Sequence, residues 1–477
     1  MIAQSLVLAT DVLAGQDSPS HAAEVESEFL AYWTEFGSSD VLSICPPCNP
    51  VGPIYVGRVK NDGEFLLIAP SKAEAVQWAT AVGGTASDEC GAFFFQLDSV
   101  PTPPAFDASL SLRQSLDLLA AHAPHNNMQV LRNWLKNTRL PVWIVVCARR
   151  AAGGEIIFGV YMPALPKSAI PTGFRKGHVP PALVAKRSMG ESVQRVRVSR
   201  MDPSYVVARG GGDTSLQERT VTVAGCGSVG SHVALSLAAS GIGTLRLIDP
   251  DTLVSDNVHR HVLGAAHLRE HKVDGIAEVI HGRLPHISVT PYSQTIESVL
   301  VDDAEDILSS DVVVIAIGNE TIERRLNEFL IGKARRLHVW VEPLGIGGHL
   351  LSLPADGPGC LHCLYHLDDD AGLANTASLV APGQSFQRTL SGCAGTFTPY
   401  GALDAGQAAI HASREVIAIL QNKRTQASLV SWVVSKQLLV SEGFSLSTRG
   451  AQMDEGAIRR ESDFARADCP VCGTRYE

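Results

Sequence analysis

The stretch TVTVAGCGSVGSHVALSLAASG, residues 220–241, decides the fold of this chain. It begins with a β-branched run typical of a buried strand, passes through G-x-G-x-x-G, and continues in small and apolar residues at helical spacing. Glycines let the backbone approach a phosphate closely, and the following helix directs free N–H groups and its positive dipole end at it. The stretch predicts a nucleotide site in which Gly225, Gly227 and Gly230 lie against the phosphates.

The alternation of strands and helices continues beyond this site. Strands are predicted at TLRLID, ISVTPYS, DVVVIAIG and HVWVEPLGIGG, and a helix at HKVDGIAEVIHGRL. Strands that alternate with helices of this length are typical of βαβ units and a mostly parallel sheet. Residues 201–477 are therefore predicted to form a Rossmann-like α/β domain.

Asp249 ends the second strand of this domain, where an acidic side chain holds the ribose in dinucleotide-binding folds. With the glycine turn alone, it favours a nicotinamide-dependent oxidoreductase. The purely structural alternative is a tight glycine turn that binds no ligand. The residues after Asp249 separate these interpretations from a third.

An ordered polar set lies in IDPDTLVSDNVHRHVLG, residues 248–264. It consists of Asp249, Asp251, Asn257 and Arg260, and Lys272 follows at the start of the next predicted helix. The set resembles the signature of the ThiF, MoeB and ubiquitin-activating superfamily. The resemblance extends over about residues 205–477 and implies a ThiF-type adenylation domain.

The resemblance implies an enzyme that adenylates a carboxylate with ATP. Arg260 and Lys272 would neutralise phosphate charge as pyrophosphate leaves, and Asn257 would donate a hydrogen bond. Asp249 would hold the ribose, and Asp251 belongs to the same nucleotide-binding set. Taken singly, each residue is more often a capping or solvated residue, so the specificity comes from their order after a glycine turn.

One position departs from the family pattern. The family usually has an Asp that helps to bind Mg²⁺ after a later strand, and Gly318 stands there in this chain. Hard cations accept amide and carboxylate oxygens, so Asn319 or Glu320 is expected to replace it. The alternative is a lost metal site and a catalytically silent scaffold.

Two C-x2-C pairs lie far apart in the sequence, Cys360 with Cys363 and Cys469 with Cys472. Either pair alone is compatible with a disulfide or a redox site, but together they favour a closed tetrahedral zinc site of four thiolates. The superfamily commonly has such pairs at these two places. A structural Zn²⁺ that holds the C-terminal tail is expected, without a catalytic role.

Cys393 lies outside both pairs, in a loop broken by Gly and Pro before a long predicted helix. In ubiquitin-activating enzymes a loop after the adenylation site carries the cysteine that captures the acyl-adenylate as a thioester. The resemblance assigns this catalytic role to Cys393, and a position near a helix start favours the thiolate. The structural alternative is a small residue packed beneath the helix.

Residues 1–200 carry no motif that indicates a reaction. Strands are predicted at GPIYVGRV, GEFLLIAP and GAFFFQLDSV, helices at SLRQSLDLLAAHA and NMQVLRNWLKN, and a hairpin joining LPVWIVVCA to GEIIFGVYMPAL. A separate mixed α/β domain is predicted, with a loop-rich connection over residues 163–187 near its end. We expect it to be non-catalytic, either an inactive adenylation-like domain or a partner-binding one.

Composition limits the class of protein. The chain has 477 residues and a formal net charge of -10, which argues against a general nucleic-acid binder. It contains no apolar run long enough for a membrane span, and its first residues lack a basic leader. No nucleic-acid or membrane partner and a cytoplasmic location are therefore expected.

The combined prediction is an activating enzyme for a ubiquitin-like protein that uses ATP, Mg²⁺ and Zn²⁺. The amino-acid sequences of several stretches resemble those of bacterial activating enzymes of antiphage defence operons. Expected partners are the ubiquitin-like protein, a conjugating enzyme and a second copy of the chain, with Arg209 reaching across the dimer. The alternatives are a sulfur-carrier adenylyltransferase without a thioester, the nicotinamide-dependent oxidoreductase and the silent scaffold.

Overall fold

The computed structural model describes residues 26, 28–34, 41–104, 109–170, 172–174, 179–187, 192–368, 372–389 and 397–473. The chain divides into two compact units, a first unit at Met1–Arg209 and a second unit at Gly210–Glu477. Within the described part of the chain, every helix is too short or too polar to traverse a lipid bilayer.

The first unit closes a mixed sheet on itself. Its strands are β1 (Val41–Ser43), β2 (Gly52–Lys60), β3 (Glu64–Ala69), β4 (Thr85–Leu97), β5 (Leu110–Ser111), β6 (Val142–Arg149), β7 (Glu155–Met162) and β8 (Ser192–Arg200). They follow the order β1-β3-β2-β4-β6-β7-β8-β5, and β1 also pairs with β8. Because β1 forms hydrogen bonds with both β3 and β8, the sheet returns to its starting strand and closes into a ring.

Apolar side chains fill the inside of this ring. The accompanying helices are α1 (Phe29–Trp33), α2 (Lys72–Ala81), α3 (Leu112–His122), α4 (His125–Asn137), α5 (Pro181–Arg187) and α6 (Pro203–Arg209). Along β6, Val142, Ile144 and Val146 pack against helices. Val145 and Cys147 point the other way and pack against the remaining strands. The period of two along β6 thus separates a helix-covered face from a filled interior.

Two expectations for this region have different outcomes. The predicted hairpin is confirmed, since β6 and β7 pair in antiparallel register from Val142–Met162 to Arg149–Glu155. The prediction of a loop-rich connection over residues 163–187 is partly wrong, because it ends in helix α5 and the chain then returns to the sheet as β8. The valines of β8 are buried, but charged and polar residues alternate with them and obscure the strand in the sequence.

The second unit is built on one sheet of parallel and antiparallel strands. Its strands are β9 (Thr220–Ala224), β10 (Thr244–Ile248), β11 (Ser288–Tyr292), β12 (Val312–Ile315), β13 (Arg336–Val341), β14 (Gly347–Leu353), β17 (Ser428–Val433) and β18 (Ile458–Glu461). Their order is β11-β10-β9-β12-β13-β14-β17-β18. The strands from β11 to β13 are parallel neighbours, and β14, β17 and β18 add antiparallel. A separate hairpin consists of β15 (Tyr365–Asp368) and β16 (Gly372–Asn375).

Helices cover both faces of this sheet. They are α7 (Ser228–Ala239), α8 (Lys272–Arg283), α9 (Ile296–Asp302), α10 (Ala304–Leu308), α11 (Glu320–Leu330), α12 (Ala402–Leu420), α13 (Gln437–Ser441) and α14 (Thr448–Gln452). Val312 and Val314 of β12 pack with α7, α8 and α12. Val313 and Ile315 pack with α9, α10 and α11 on the opposite face. The predicted Rossmann-like α/β class is confirmed.

The strand order places one crevice at a special point of the sheet. Strand β9 lies between β10 and β12, so the chain leaves β9 to one side and later returns on its other side. In open α/β sheets, ligands bind outside the carboxyl ends of the strands at such a reversal. The glycine turn of residues 225–230 begins at the carboxyl end of β9 and therefore occupies this point.

Candidate nucleotide and metal sites

The glycine turn is shaped by close approach of the backbone. Gly225 has φ of 86°, in the left-handed region that favours glycine. A Cβ atom on Gly225 would lie 2.6 Å from the carbonyl oxygen of Ala316, and one on Gly230 would lie 1.8 Å from the carbonyl oxygen of Gly225. Larger residues at these two positions would therefore force the turn away from β12 or from α7.

Gly227 leaves the start of helix α7 open. It is the residue before the helix and supplies no side-chain cap to the first turn. The N–H groups of the first turn of a helix have no partner within the helix, so they can donate to an anion. The predicted phosphate-binding role of Gly225, Gly227 and Gly230 matches this geometry and stays a prediction.

Asp249 fixes the backbone of the glycine turn by a hydrogen bond. Its buried carboxylate accepts the Cys226 N–H at 2.7 Å and the Asp251 N–H at 2.9 Å. Burial raises the pKa of Asp249 above its usual value, while the ammonium of Lys272 opposes the rise. Each carboxylate oxygen already has one backbone donor. The predicted contact with a ribose would have to use the remaining lone pairs.

Lys272 is a buried cation at the start of α8. Its Nζ donates to Asp251 Oδ2 at 2.7 Å and lies 3.9 Å from Asp249 Oδ1. The side chain of Asp251 is largely exposed, whereas that of Lys272 is nearly inaccessible. A phosphate would therefore have to compete with Asp251 for this ammonium.

Arg260 is held differently. Its Cζ lies 4.8 Å from the centroid of the Tyr400 ring, and no carboxylate of the described residues pairs with it. The Arg260 N–H donates to the Asn257 carbonyl at 3.0 Å, within the turn that follows the short 3₁₀ helix Ser255–Asn257. The backbone thus joins Asn257 and Arg260, while the guanidinium keeps its donors for an anion.

His261, which flanks Arg260, contributes to this site through a contact with the glycine turn that no sequence motif indicates. Its Nε2 lies 2.8 Å from the Cys226 carbonyl oxygen, and its Nδ1 accepts the Leu263 N–H at 3.1 Å. Since Nδ1 accepts, the proton is on Nε2 and is donated to Cys226. Burial lowers the pKa of His261 to about 4, which agrees with a neutral ring. Cys226 is thus held by Asp249 at its N–H and by His261 at its carbonyl.

A cavity of about 410 Å³ opens at the glycine turn. Its wall includes Gly227, Ser228, Gly318, Glu320, Glu323 and Tyr400. The cavity therefore combines the open helix start with two carboxylates. An adjoining groove of about 750 Å³ shares Glu320, Tyr365 and Asn375 with it.

The loop at Gly318 shows which oxygen atoms are free for a cation. Gly318 has φ of 73°, and its N–H donates to Glu323 Oε1 at 2.9 Å. The Asn319 side-chain oxygen accepts the Ile322 N–H at 3.2 Å and caps helix α11. The carboxylate of Glu320 is half-exposed and lines the cavity. Oxygen ligands suitable for Mg²⁺ are therefore present, and Glu320 is less committed to the protein than Asn319 is.

The four cysteines of the two C-x2-C pairs converge and are all buried. The Sγ atoms of Cys360 and Cys469 are 3.7 Å apart, and those of Cys363 and Cys472 are 3.4 Å apart. A tetrahedral zinc site with Zn–S bonds of about 2.3 Å has its sulfur atoms about 3.8 Å apart. The residues present fit a zinc ion that four thiolates would enclose completely.

The predicted thioester cysteine is not one of the four cysteines of the metal site. Cys393 is outside the described residues, so its role stays a prediction. Arg209 ends helix α6 of the first unit and is exposed. Cys226, inside the glycine turn, is completely buried, and burial raises its pKa well above the usual value, which makes it a poor nucleophile.

A comparison with protein families bears on the nucleotide site. The model of the ThiF family matches residues 205–447, which include the glycine turn, the polar set and the loop of Gly318. The chain belongs to the ThiF family. This membership favours the adenylation interpretation over the nicotinamide-dependent one, and it covers about half of the chain.

The curated relatives carry names of more than one kind. The ATP-dependent ubiquitin transferase-like protein Cap2 of Pseudomonas aeruginosa is 24% identical over 223 residues, which cover 45% of this chain and 39% of Cap2. The adenylyltransferase and sulfurtransferase MOCS3 of Arabidopsis thaliana is 30% identical over 165 residues, 34% of each protein. The chain thus spans less than half of the length of either relative.

Two further similarities concern proteins of Escherichia coli. The molybdopterin-synthase adenylyltransferase of Escherichia coli K12 is 28% identical over 184 residues, which cover 36% of this chain and 69% of that protein. A crystal structure of Escherichia coli MccB with MccA-N7isoASN is 19% identical, with a TM-score of 0.39, over 56% of this chain and 70% of that one.

Proposed function

We propose that the chain activates the C-terminal carboxylate of a small ubiquitin-like protein by adenylation with ATP. The observation that carries this proposal is the continuity of the nucleotide cavity with the larger groove through Glu320, Tyr365 and Asn375. A small carboxylic acid would need the cavity alone. The groove adds room for an extended peptide whose last residue reaches the nucleotide.

Hydroxyl groups on the groove wall suit the backbone of such a peptide. Thr376 Oγ1 donates to the Leu364 carbonyl at 3.0 Å. Ser378 Oγ donates to Glu342 Oε2 at 3.1 Å, and Ser447 Oγ donates to the Ser378 carbonyl at 2.6 Å. The oxygens of Ser378 and Ser447 each already accept one backbone N–H, from Val380 and from Gly450. The Thr376 hydroxyl oxygen therefore has the most free accepting capacity for a peptide N–H group.

The chemistry assigns a task to the start of α7 and to the cations of the neighbouring polar set. A carboxylate oxygen of the bound tail attacks the α-phosphorus, the bond from this phosphorus to the bridging oxygen breaks, and pyrophosphate leaves with that oxygen. The open start of α7 and the guanidinium of Arg260 stabilise the charge that shifts onto the leaving phosphates. Lys272 adds a second cation when its ammonium exchanges Asp251 for a phosphate oxygen, and Asn257 adds a donor.

Two metal ions complete the proposal. Mg²⁺ would be held by Glu320 at the cavity wall, and it would neutralise triphosphate charge when bound. Zn²⁺ would be held by Cys360, Cys363, Cys469 and Cys472 and would have a structural role, since no coordination position remains open. This assignment uses Glu320 rather than Asn319 because the Asn319 oxygen caps α11.

A second step would follow adenylation. Cys393 would take the acyl group from AMP as a thioester and pass it to a conjugating enzyme, in a cytoplasmic antiphage pathway. The name of Cap2 supports this step, whereas the names of MOCS3 and the Escherichia coli adenylyltransferase favour the second candidate function, activation of a sulfur-carrier protein without a thioester.

The first unit is assigned a non-catalytic role. Burial raises the pKa of Cys45 to about 12 and that of Cys147 to about 12, so neither thiol is available as a thiolate near neutral pH. We infer that this unit, which ends at Arg209, binds partners or completes a homodimer in which Arg209 reaches the second copy's triphosphate.

ATP–pyrophosphate exchange with candidate ubiquitin-like proteins tests the first step. Exchange should depend on the free C-terminal carboxylate and should be lost when the last residue of the partner is removed. A groove lined for peptide backbone predicts that a peptide of the last few partner residues also supports slow exchange. Absence of exchange with every candidate would overturn the adenylation proposal.

A non-reducing gel run on the same reactions tests the second step. A thiol-sensitive adduct should form with the wild-type chain and disappear in Cys393→Ala. Cys48→Ala is the matched control, because Cys48 is an exposed cysteine of the first unit and should leave the adduct unchanged. Exchange without an adduct would move the protein to the sulfur-carrier class.

A further inference from the structure

Tyr400 joins two separate parts of the nucleotide site. Its ring lies beneath the guanidinium of Arg260, with the Arg260 Cζ 4.8 Å from the ring centroid. Its hydroxyl oxygen is 2.5 Å from the Oγ of Ser228, the first residue of helix α7. The same side chain forms part of the wall of the nucleotide cavity.

Arg260 and Lys272 are held by different kinds of contact, Arg260 by an aromatic ring and Lys272 by carboxylates. Lys272 is paired with Asp251 and Asp249, which orient its ammonium before a nucleotide binds. No carboxylate of the described residues pairs with Arg260, so the face of Tyr400 is the contact that orients the guanidinium. A ring face attracts a cation without occupying its N–H donors, which stay available for phosphate oxygens.

The backbone around Tyr400 is fixed on both sides. The Pro399 carbonyl accepts the Leu344 N–H at 2.7 Å, and the Gly401 N–H donates to Asp404 Oδ2 at 2.7 Å. The ring is therefore presented from an anchored segment. A rigid support of this kind lowers the entropy that Arg260 loses when it engages a phosphate.

We propose that Tyr400 is a positioning residue of the nucleotide site. Its ring holds the Arg260 guanidinium beside the phosphates, and its hydroxyl holds Ser228 at the start of α7. Tyr400 acts through these two residues and contributes no atom to the reaction. The inference rests on the proposed function, because it requires ATP at the glycine turn.

The proposal also concerns the segment that carries Cys393. Tyr400 follows Cys393 by seven residues in the sequence. The contact with Arg260 and Ser228 fixes Tyr400 itself at the wall of the cavity. Loss of the contact should impair the thioester step in addition to nucleotide binding.

Two substitutions separate the two contacts of Tyr400. Tyr400→Phe keeps the ring beneath Arg260 and removes the hydroxyl, whereas Tyr400→Leu removes both contacts. Calorimetric titration with ATP and Mg²⁺ should show about 5- to 30-fold weaker binding for Tyr400→Leu and about 2- to 5-fold weaker binding for Tyr400→Phe. Intact stability without nucleotide, measured by thermal unfolding, should accompany both losses.

Double variants test the coupling directly. In an Arg260→Ala background the ring has no guanidinium to hold. Tyr400→Leu should then weaken ATP binding only by the amount that the loss of the hydroxyl contact explains. In a Ser228→Ala background, Tyr400→Phe should have no additional effect. Fully additive losses in both pairs would mean that Tyr400 acts by itself or only through the fold, and they would overturn the proposal.

Tyr205 offers a matched control in the first unit. Arg200 lies over the Tyr205 ring with its Cζ 4.7 Å from the centroid, nearly the same geometry as in the Arg260 pair. Tyr205→Leu should leave ATP binding unchanged. If the wild-type chain binds ATP and Tyr400→Leu binds it equally well, the inference fails alone. If the wild-type chain binds no ATP, the proposed function fails with it.

Discussion

The two units end their sheets in different ways. In the first unit, β1 pairs with both β3 and β8, and apolar side chains fill the closed ring. In the second unit the sheet stays open, and its strand order reverses at β9, where the glycine turn and the polar set meet. The comparison teaches that the crevice for a ligand comes from the reversal in strand order, which a closed and filled sheet does not provide.

Arg200 of the first unit and Arg260 of the second unit differ in whether a carboxylate neutralises their charge. Arg200 of the first unit pairs with the fully buried Asp202 at 2.8 Å as well as with the Tyr205 ring. Arg260 has the ring contact but no carboxylate partner among the described residues. A cation whose charge is not neutralised within the protein is suited to an anionic ligand, whereas a neutralised one stabilises the fold.

The largest expected effect comes from adding a side chain inside the glycine turn. Gly230→Ala would place a Cβ atom 1.8 Å from the Gly225 carbonyl oxygen, so the turn must move away from the phosphates. We expect ATP affinity, measured by calorimetry, to fall about 10- to 100-fold. Gly52→Ala in the first unit is the control, because its Cβ would meet no atom within 4 Å. Equal ATP affinity in both variants would remove the glycine turn from the nucleotide site.

The next effect concerns the four cysteines, which belong to the second unit only. Cys472→Ser should abolish zinc binding, measured by elemental analysis, and lower the unfolding temperature of the second unit by roughly 10 °C. Cys45→Ala in the first unit should retain the metal, although it too removes a buried thiol. Retention of one zinc ion by Cys472→Ser would contradict the four-thiolate site.

A smaller effect is expected at His261, which holds the Cys226 carbonyl. His261→Ala should raise the KM for ATP about 10-fold, because the turn loses one buried hydrogen bond, while kcat changes less. His261→Gln keeps a donor at a similar reach and should recover most of the loss. A Gln variant as impaired as the Ala variant would show that the ring packs there without orienting the turn.

His261 also predicts a dependence of stability on pH. Burial lowers its pKa to about 4, whereas an unfolded histidine has a pKa near 6.5. Unfolding therefore takes up a proton between these values, so the stabilisation is complete above pH of about 6.5 and is lost as the pH falls towards 4. In that window, His261→Gln should flatten the slope of unfolding free energy by about 1.4 kcal/mol per pH unit. An unchanged slope in denaturant titrations would contradict a buried neutral ring.

The smallest effect is expected at Gly318, where the chain departs from the family pattern. A Cβ atom there would meet no atom within 4 Å, and Asp tolerates the left-handed backbone better than most residues. Gly318→Asp should cost about 1 kcal/mol of stability and strengthen the Mg²⁺-dependent part of ATP binding a few-fold. Gly83→Asp is the control, since Gly83 has φ of 71° and open space in the first unit. If Gly318→Asp has no effect on the Mg²⁺ dependence, the cation is held elsewhere.

Much of the second unit is predictable from its sequence because its signals are local. The glycine turn and Asp249 lie on consecutive elements, and the two C-x2-C pairs carry a spacing that itself indicates a metal site. The fold class followed from the regular alternation of strands and helices. The same regularity is missing in the first unit, where polar residues between the valines of β8 hide a strand.

Other contacts were beyond sequence reasoning because they join distant positions through groups without a motif. His261 acts on a backbone carbonyl, which every residue possesses. Tyr400 meets Arg260 across 140 positions of the chain, and only the fold brings them together. The sequence offers Asn319 and Glu320 equally as cation ligands, and only the structure shows that the Asn319 oxygen caps the start of α11, because capping and metal binding require the same type of atom.

The four thiolates have a topological consequence for the second unit. Cys363 and Cys472 are 109 positions apart, so a bound metal would close most of the chain after β14 into a loop. Groove residues such as Thr376 and Ser447, the segment with Cys393 and helix α12 all belong to this loop. A single proteolytic cut anywhere inside it would leave both fragments tied together by the metal, and a chelator would then be needed to release them.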